Sequence, residues 1–174
     1  DLSEYDKPQQ QVVMRIVHSL GIPSLASQVR FSALACVNGM QALANKCDIL
    51  CDVEMVKQGI TKRMISKQPL CFLNTEATAN HAKANNETRS MAALNSWEDK
   101  LAGSVVVIGN APTALFKLLE MLETGCEKPS LIIGMPVGFV GAAESKQALW
   151  DAHQDLGVEC ITLLGREGGS AVSS

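Results

Sequence analysis

Proton chemistry near neutral pH falls first to imidazole, and the chain has three histidines: His18, His81 and His153. His81 sits in the polar stretch "ATANHAKANNE" and reads as solvated. His153 lies in "WDAHQDLG" near a helix end, where a cation suits the helix dipole. His18 closes an amphipathic run just before "SLGIP"; taken alone, it reads as a partly buried histidine packed at a helix end. The single tyrosine, Tyr5, is close to the terminus. No serine–histidine–aspartate set and no metal-ligand spacing is recognisable, and no metal is expected.

Anion binding has more material. Arg30 precedes Phe31-Ser32, Lys62 and Arg63 follow "GIT", and Arg166 lies in "GREGG". Arg89 opens a helix in "ETRS", where a guanidinium opposes the dipole unless an anion accompanies it. It is therefore a candidate carboxylate clamp. Glycine-rich or polar turns recur in "CDVEMVKQGIT", "GNAPTAL", "GMPVGFVGAAES" and "GREGGS". These turns lack "GxxxxGK[ST]" and the strand-linked "GxGxxG", which argues against a nucleotide ligand. Helix N-termini offer unpaired N–H groups, so several of them on one edge suit a ligand with several carboxylates or phosphates.

The elements that must position these groups alternate. Apolar runs at 48–52, 69–73, 104–109, 130–134 and 158–164 read as buried strands. Helical spacing runs from Lys7 to Leu20, with further helices from Ser32 to about Asn45, Ser90–Leu101, Ala111–Leu122 and around Ser145 to Ala152. The pattern predicts a three-layer α/β/α fold around a five-stranded parallel sheet, as one domain over 1–174. Ligands would gather beyond the carboxyl ends of the strands, where the glycine turns lie.

Hydrophobic residues make up 47% and charged residues 19%, ordinary for a globular protein, while aromatic content of 4% leaves the core to aliphatic packing. A net charge of −3 argues against nucleic acid, and no apolar run is long enough to span a membrane. Six cysteines, only Cys47 and Cys51 closely spaced, read as reduced, packed thiols in a cytoplasmic protein. Asp1 is not a natural start residue.

"GNAPTAL", "GMPVGFVGAAESK", "ILCDVEMVKQGIT" and "TRS", in this order, resemble the precorrin-8X methylmutase family over nearly the whole chain. The resemblance implies a cofactor-free isomerase of corrin biosynthesis. It moves a methyl group between neighbouring ring carbons of a tetrapyrrole, giving hydrogenobyrinate from precorrin-8X or cobyrinate from cobalt-precorrin-8. The family pattern "MIHxxG" is matched by "RIVHSLG", so the resemblance makes His18 the acid that protonates the macrocycle. With a substrate edged by carboxylates, Ser32, Thr61, Arg89, Ser90, Asn110 and Thr113 become candidate donors. Val137, Gly138 and Phe139 become the rim of a slot for the ring face. The resemblance also implies a homodimer with its site near the subunit interface.

The chain departs from the family at three places. "FSPGA" becomes "FSALA" with Ala33 and Leu34, and "GNTRS" becomes "NETRS" with Asn86 and Glu87. A carboxylate at Glu87 is unexpected beside a polyanion, and its position suits a helix cap. On this resemblance, the segment that precedes Asp1 in the family is expected to be missing. A competing expectation is a corrinoid-binding module of a larger chain, without turnover.

Overall fold

The computed structural model describes Leu2–Ser174. Helix α1, Lys7–Leu20, matches its sequence-predicted bounds, and its ends show why. Asp6 accepts from Gln9 N at 2.9 Å while Gln9 Oε1 accepts from Asp6 N at 3.1 Å, a reciprocal capping box. Gly21, at φ 69°, ends the helix in the left-handed region.

Five strands follow: β1 Val29–Phe31, β2 Ile49–Cys51, β3 Val105–Ile108, β4 Leu131–Gly134 and β5 Cys160–Leu163. The sheet order is β1-β5-β4-β3-β2. Strands β2 to β5 pair in parallel, as expected. Strand β1 runs antiparallel to β5 and corrects the all-parallel expectation at one edge. Its three residues carry no apolar run to announce it, because a short edge strand is buried on fewer sides.

The other expected strand, 69–73, is not one. It touches the sheet through a single bridge, with Leu70 N donating to Ile49 O and Cys51 N to Leu70 O, both at 2.8 Å. Pro69 has no N–H to continue a ladder. Beyond Phe72 the chain turns into α4, Glu76–Asn85, capped by Thr75. That helix was not legible: it is polar and alanine-rich, and buries only Thr78 and Ala82.

Helices α2 (Ala35–Ala44), α3 (Glu54–Gly59), α5 (Arg89–Ala93), α6 (Pro112–Glu123), α7 (Ala142–Leu156) and α8 (Ser170–Ser173) complete the fold. The expected helix at Ser90–Leu101 splits into α5 and a tighter 3₁₀ segment, Leu94–Lys100, that buries Trp97. Alternation along β3 sets the three layers. Val105 and Val107 pack with Val13, Ile16, Ala35 and Val56, beneath α1, α2 and α3. Val106 and Ile108 pack with Leu115, Leu118, Leu149 and Trp97 on the other face. Among the described residues, no helix is long and apolar enough to cross a membrane.

Candidate functional site

A cavity of about 780 Å³ opens beside the last turns of α1. Gln11, Met14, Arg15 and His18 line it, and their spacing of three, four and seven puts them on one helix face. All four side chains are exposed, so this face of α1 is turned away from the core that holds Val13 and Ile16. The facing wall comes from Gly59, the last residue of α3, from Thr61 just beyond it, and from Ala171, Val172 and Ser174 of the C-terminal segment. The structure thus brings together His18 and Thr61 of the sequence candidates. It adds Arg15, one turn before His18, a relation readable from the helical spacing.

The C-terminal wall rests on glycines. A Cβ at Gly59 would come within 2.5 Å of Ser174 Oγ, and one at Gly109 would collide with Ser173 Oγ and lie 2.7 Å from Val56 Cγ2. The missing side chains are what let α8 seat on the ends of β3 and α3.

Asp52, immediately after β2, organises the neighbouring turn. It is 2% exposed, and its carboxylate accepts from Gly109 N at 3.0 Å, Asn110 N at 2.9 Å and Ala111 N at 2.8 Å. Burial raises its pKa, and the backbone donors pull against that rise. The amino end of α6 therefore already holds an anion, one supplied by the protein. This corrects the expectation that the Asn110 backbone N–H is offered to a ligand. The side chains of Asn110 and Thr113 remain exposed.

Ser32 is placed elsewhere. Because β1 is antiparallel, its end lies beside Cys160, at the amino edge of the parallel strands. The buried Ser32 hydroxyl donates to Glu159 and accepts from Cys160 N at 2.7 Å, while Leu34 N donates to the same carboxylate at 2.7 Å. Ser32 is a local tie between β5 and α2, not a group at the cavity.

Arg89 is exposed at the start of α5 and Ser90 is half-buried. Thr88, not Glu87, caps this helix, accepting from Met91 N at 3.2 Å. Glu87 pairs instead with His81, Nε2 to Oε1 at 3.0 Å. Asn86, where the family pattern has glycine, ends α4 at φ 51° and ψ 45°, a left-handed conformation that asparagine tolerates. His153 is buried and stacks on Trp150 at 4.6 Å, a packing role.

The turn between β4 and α7 presents Val137, Phe139 and Val140 to solvent, with Phe139 85% and Val140 89% exposed. Gly138 and Gly141 take φ of 139° and 82°, which only glycine adopts without strain. The turn leans on the segment after β5. Gly138 N donates to Arg166 O at 3.3 Å, Gly169 N to Met135 O at 2.9 Å, and the Arg166 guanidinium lies 5.6 Å from the Phe139 ring centre. Rim and cavity wall are therefore built on one stretch, Gly165–Ser174. Neither the rim nor Arg89 lines the His18 cavity.

Comparison with known proteins gives one answer. The family model described as precorrin-8X methylmutase matches residues 1–174. The precorrin-8X methylmutase of Pseudomonas aeruginosa is 46% identical over 95% of this chain and 79% of that protein. The one from Sinorhizobium sp. is 46% identical over 100% of this chain and 83% of that protein. The cobalt-precorrin-8 methylmutase of Methanocaldococcus jannaschii is 33% identical, covering 99% and 78%. A solved precorrin-8X methylmutase from Thermus thermophilus superposes with a TM-score of 0.85 at 31% identity, covering 97% of this chain and 82% of that one.

Proposed function

The chain belongs to the precorrin-8X methylmutase family of cobalamin-biosynthesis isomerases, and on that premise we propose that His18 protonates a tetrapyrrole held in the α1 cavity. The observation that carries the proposal is the shared wall: His18, Arg15 and Thr61 face one open space of about 780 Å³. Protonation of a conjugated ring nitrogen or carbon makes the macrocycle electron-poor. The bond from the methyl to its first ring carbon then breaks as the bond to the neighbouring carbon forms, and the proton returns to the imidazole. A histidine suits both directions of that transfer. Arg15 offers a planar fork for a carboxylate arm, and Thr61 a hydroxyl. Arg89, Ser90, Thr113 and the Val137–Phe139 rim serve arms or ring edges that extend beyond this cavity. The reaction uses no cofactor in this reading.

A homodimer fits the exposed apolar surface. Met14 of α1, Leu34 just before α2, and Val37, Met40 and Leu43 of α2 are 39–55% exposed and border the His18 face through Met14. A second copy covering this stripe would also shield the cavity mouth. The six free thiols suit a reducing, cytoplasmic setting.

The test is to mix the protein separately with precorrin-8X and cobalt-precorrin-8 and follow the absorption spectrum. Methyl migration moves the saturated carbon from one ring position to its neighbour and so changes the conjugated path. Turnover therefore shifts the spectrum, and His18→Ala should abolish the shift while product still binds. Normal turnover in that variant would refute the role of His18. Substrate bound without spectral change by the unaltered protein would mark it as a binding module.

A further inference from the structure

Lys146 lies in the first turns of α7 and has no exposed surface at all. Its ammonium donates to the Glu167 carbonyl oxygen, across 21 residues of sequence. Lysine is a costly choice here. Burial pushes its pKa down to about 8, with the Glu167 carboxylate pulling the other way. The amino end of a helix also disfavours a cation. Methionine, unbranched and similar in length, would fill the slot with no charge to desolvate.

The carbonyl it holds belongs to the stretch on which both rim and cavity wall are built. On one side of Glu167, Arg166 covers Phe139 and accepts from Gly138 N. On the other, Gly168 packs so tightly on the Met135 and Pro136 carbonyl oxygens that any Cβ would collide with them. Gly169 then donates to Met135 O at 2.9 Å and begins α8, whose Ala171 and Val172 face His18. Glu167 itself is exposed, so the turn it belongs to lies at the surface.

We propose that Lys146 is a positioning residue for the methyl shift: its tie to Glu167 O fixes the Gly165–Gly169 turn, and with it the spacing between the Phe139 rim and the α8 wall of the His18 cavity. The inference rests on the reading of that cavity as the substrate site. It predicts that removing the tie loosens substrate binding while the fold persists, since the buried charge leaves with it.

Lys146→Met and Gly168→Ala test this from the two sides of the turn, alone and together. Four quantities are read: thermal midpoint, KM and kcat with precorrin-8X, and the rate of tryptic nicking after the exposed Arg166, followed by mass spectrometry. The expected result for Lys146→Met is an unchanged or higher midpoint, KM raised about tenfold, the scale of one lost charged hydrogen bond, and faster nicking. Gly168→Ala should do the same to KM and nicking, and the double variant should be less than additive. Unchanged KM and nicking in Lys146→Met would overturn the proposal, as would a variant that fails to fold, which would make Lys146 a core residue only. If the unaltered protein binds but does not turn over, the reading of the site fails. The nicking rate then still decides whether the tie holds the turn.

Discussion

The two walls of the His18 cavity are built by opposite means. The α1 wall is a regular helix, closed by a capping box at Asp6 and a left-handed glycine at 21. The opposite wall is made of short helices and the turns beside them, held by buried polar groups: Asp52 on three N–H donors, Lys146 on one carbonyl, and glycines where side chains would collide. A periodic wall carries its function on side chains that can be exchanged one at a time. A wall made of such tied pieces carries function in its backbone, so changes there act on shape. The largest expected effect therefore belongs to the first wall. His18→Ala should lower kcat by about 10²–10⁴-fold, the ordinary worth of a positioned acid, with the unfolding midpoint unchanged. Stopped-flow absorbance and a denaturant melt of the same sample check both halves.

Asp52 is the corresponding test of the second wall. Asp52→Ala leaves three buried or half-buried N–H donors without their acceptor. Each unsatisfied buried donor costs about 1–3 kcal/mol, so the loss of stability should reach about 3 kcal/mol or more. Urea unfolding measures it. A loss below 1 kcal/mol would mean that water enters to replace the carboxylate, and the contrast between the walls would fade.

This contrast also explains what was legible. The bounds of α1 and the four parallel strands follow from spacing and turn residues, which are local signals, whereas the meeting of His18 and Thr61 at one cavity is long-range and is shown only by the structure. Strand β1 is three residues long and stabilised by a partner far along the chain, so no local pattern marks it. Ser32 was misplaced for the same reason: without knowing that β1 runs antiparallel, nothing shows that its end falls at the amino edge of the sheet. Asp52 had only its place after an apolar run to recommend it, and Lys146 resembles any polar residue of a surface helix. Buried polar ties are defined by the group at the other end. The Asn110 turn read as a ligand cradle because the sequence could not show that Asp52 already fills it.

Alkaline pH separates the two kinds of burial. The thiols of Cys51 and Cys160 are pushed up to about 12 by burial, from an ordinary 9.0. Their contribution to stability is whole below about pH 9 and is lost as pH rises toward 12. Lys146 acts in the reverse sense. Its pKa falls from 10.5 to about 8, so the cost of burying its charge is full below pH 8 and is relieved as pH approaches 10.5. Unfolding free energy followed from pH 8 to 11 should fall above pH 9 in the unaltered protein. It should fall less in Cys51→Ala, and more steeply in Lys146→Met, which lacks the compensating rise.

The smallest effect is expected where the chain departs from its family without consequence for the core. Asn86 adopts a left-handed conformation and Glu87 meets His81 at 3.0 Å, in a pair whose histidine side chain is 42% exposed. The contact is half-buried, the Glu87 side chain being 14% exposed, and one such hydrogen bond is worth about 0.5–1.5 kcal/mol, so His81→Ala should shift the midpoint by only a few degrees. Asn86→Gly removes a Cβ from a strained φ but frees the unfolded chain, and the two terms oppose each other. Asn86 and Glu87 lie just before Arg89, so the two variants are diagnostic. If Arg89 engages a substrate arm, freeing the Glu87 carboxylate from His81 places an unpaired negative charge two residues away. KM should then rise more in His81→Ala than in Asn86→Gly, and salt should narrow the gap by screening. Equal KM values in the two variants, at low and high salt alike, would remove Arg89 from the substrate's surroundings and leave the binding of its arms to the cavity that Arg15, His18 and Thr61 share.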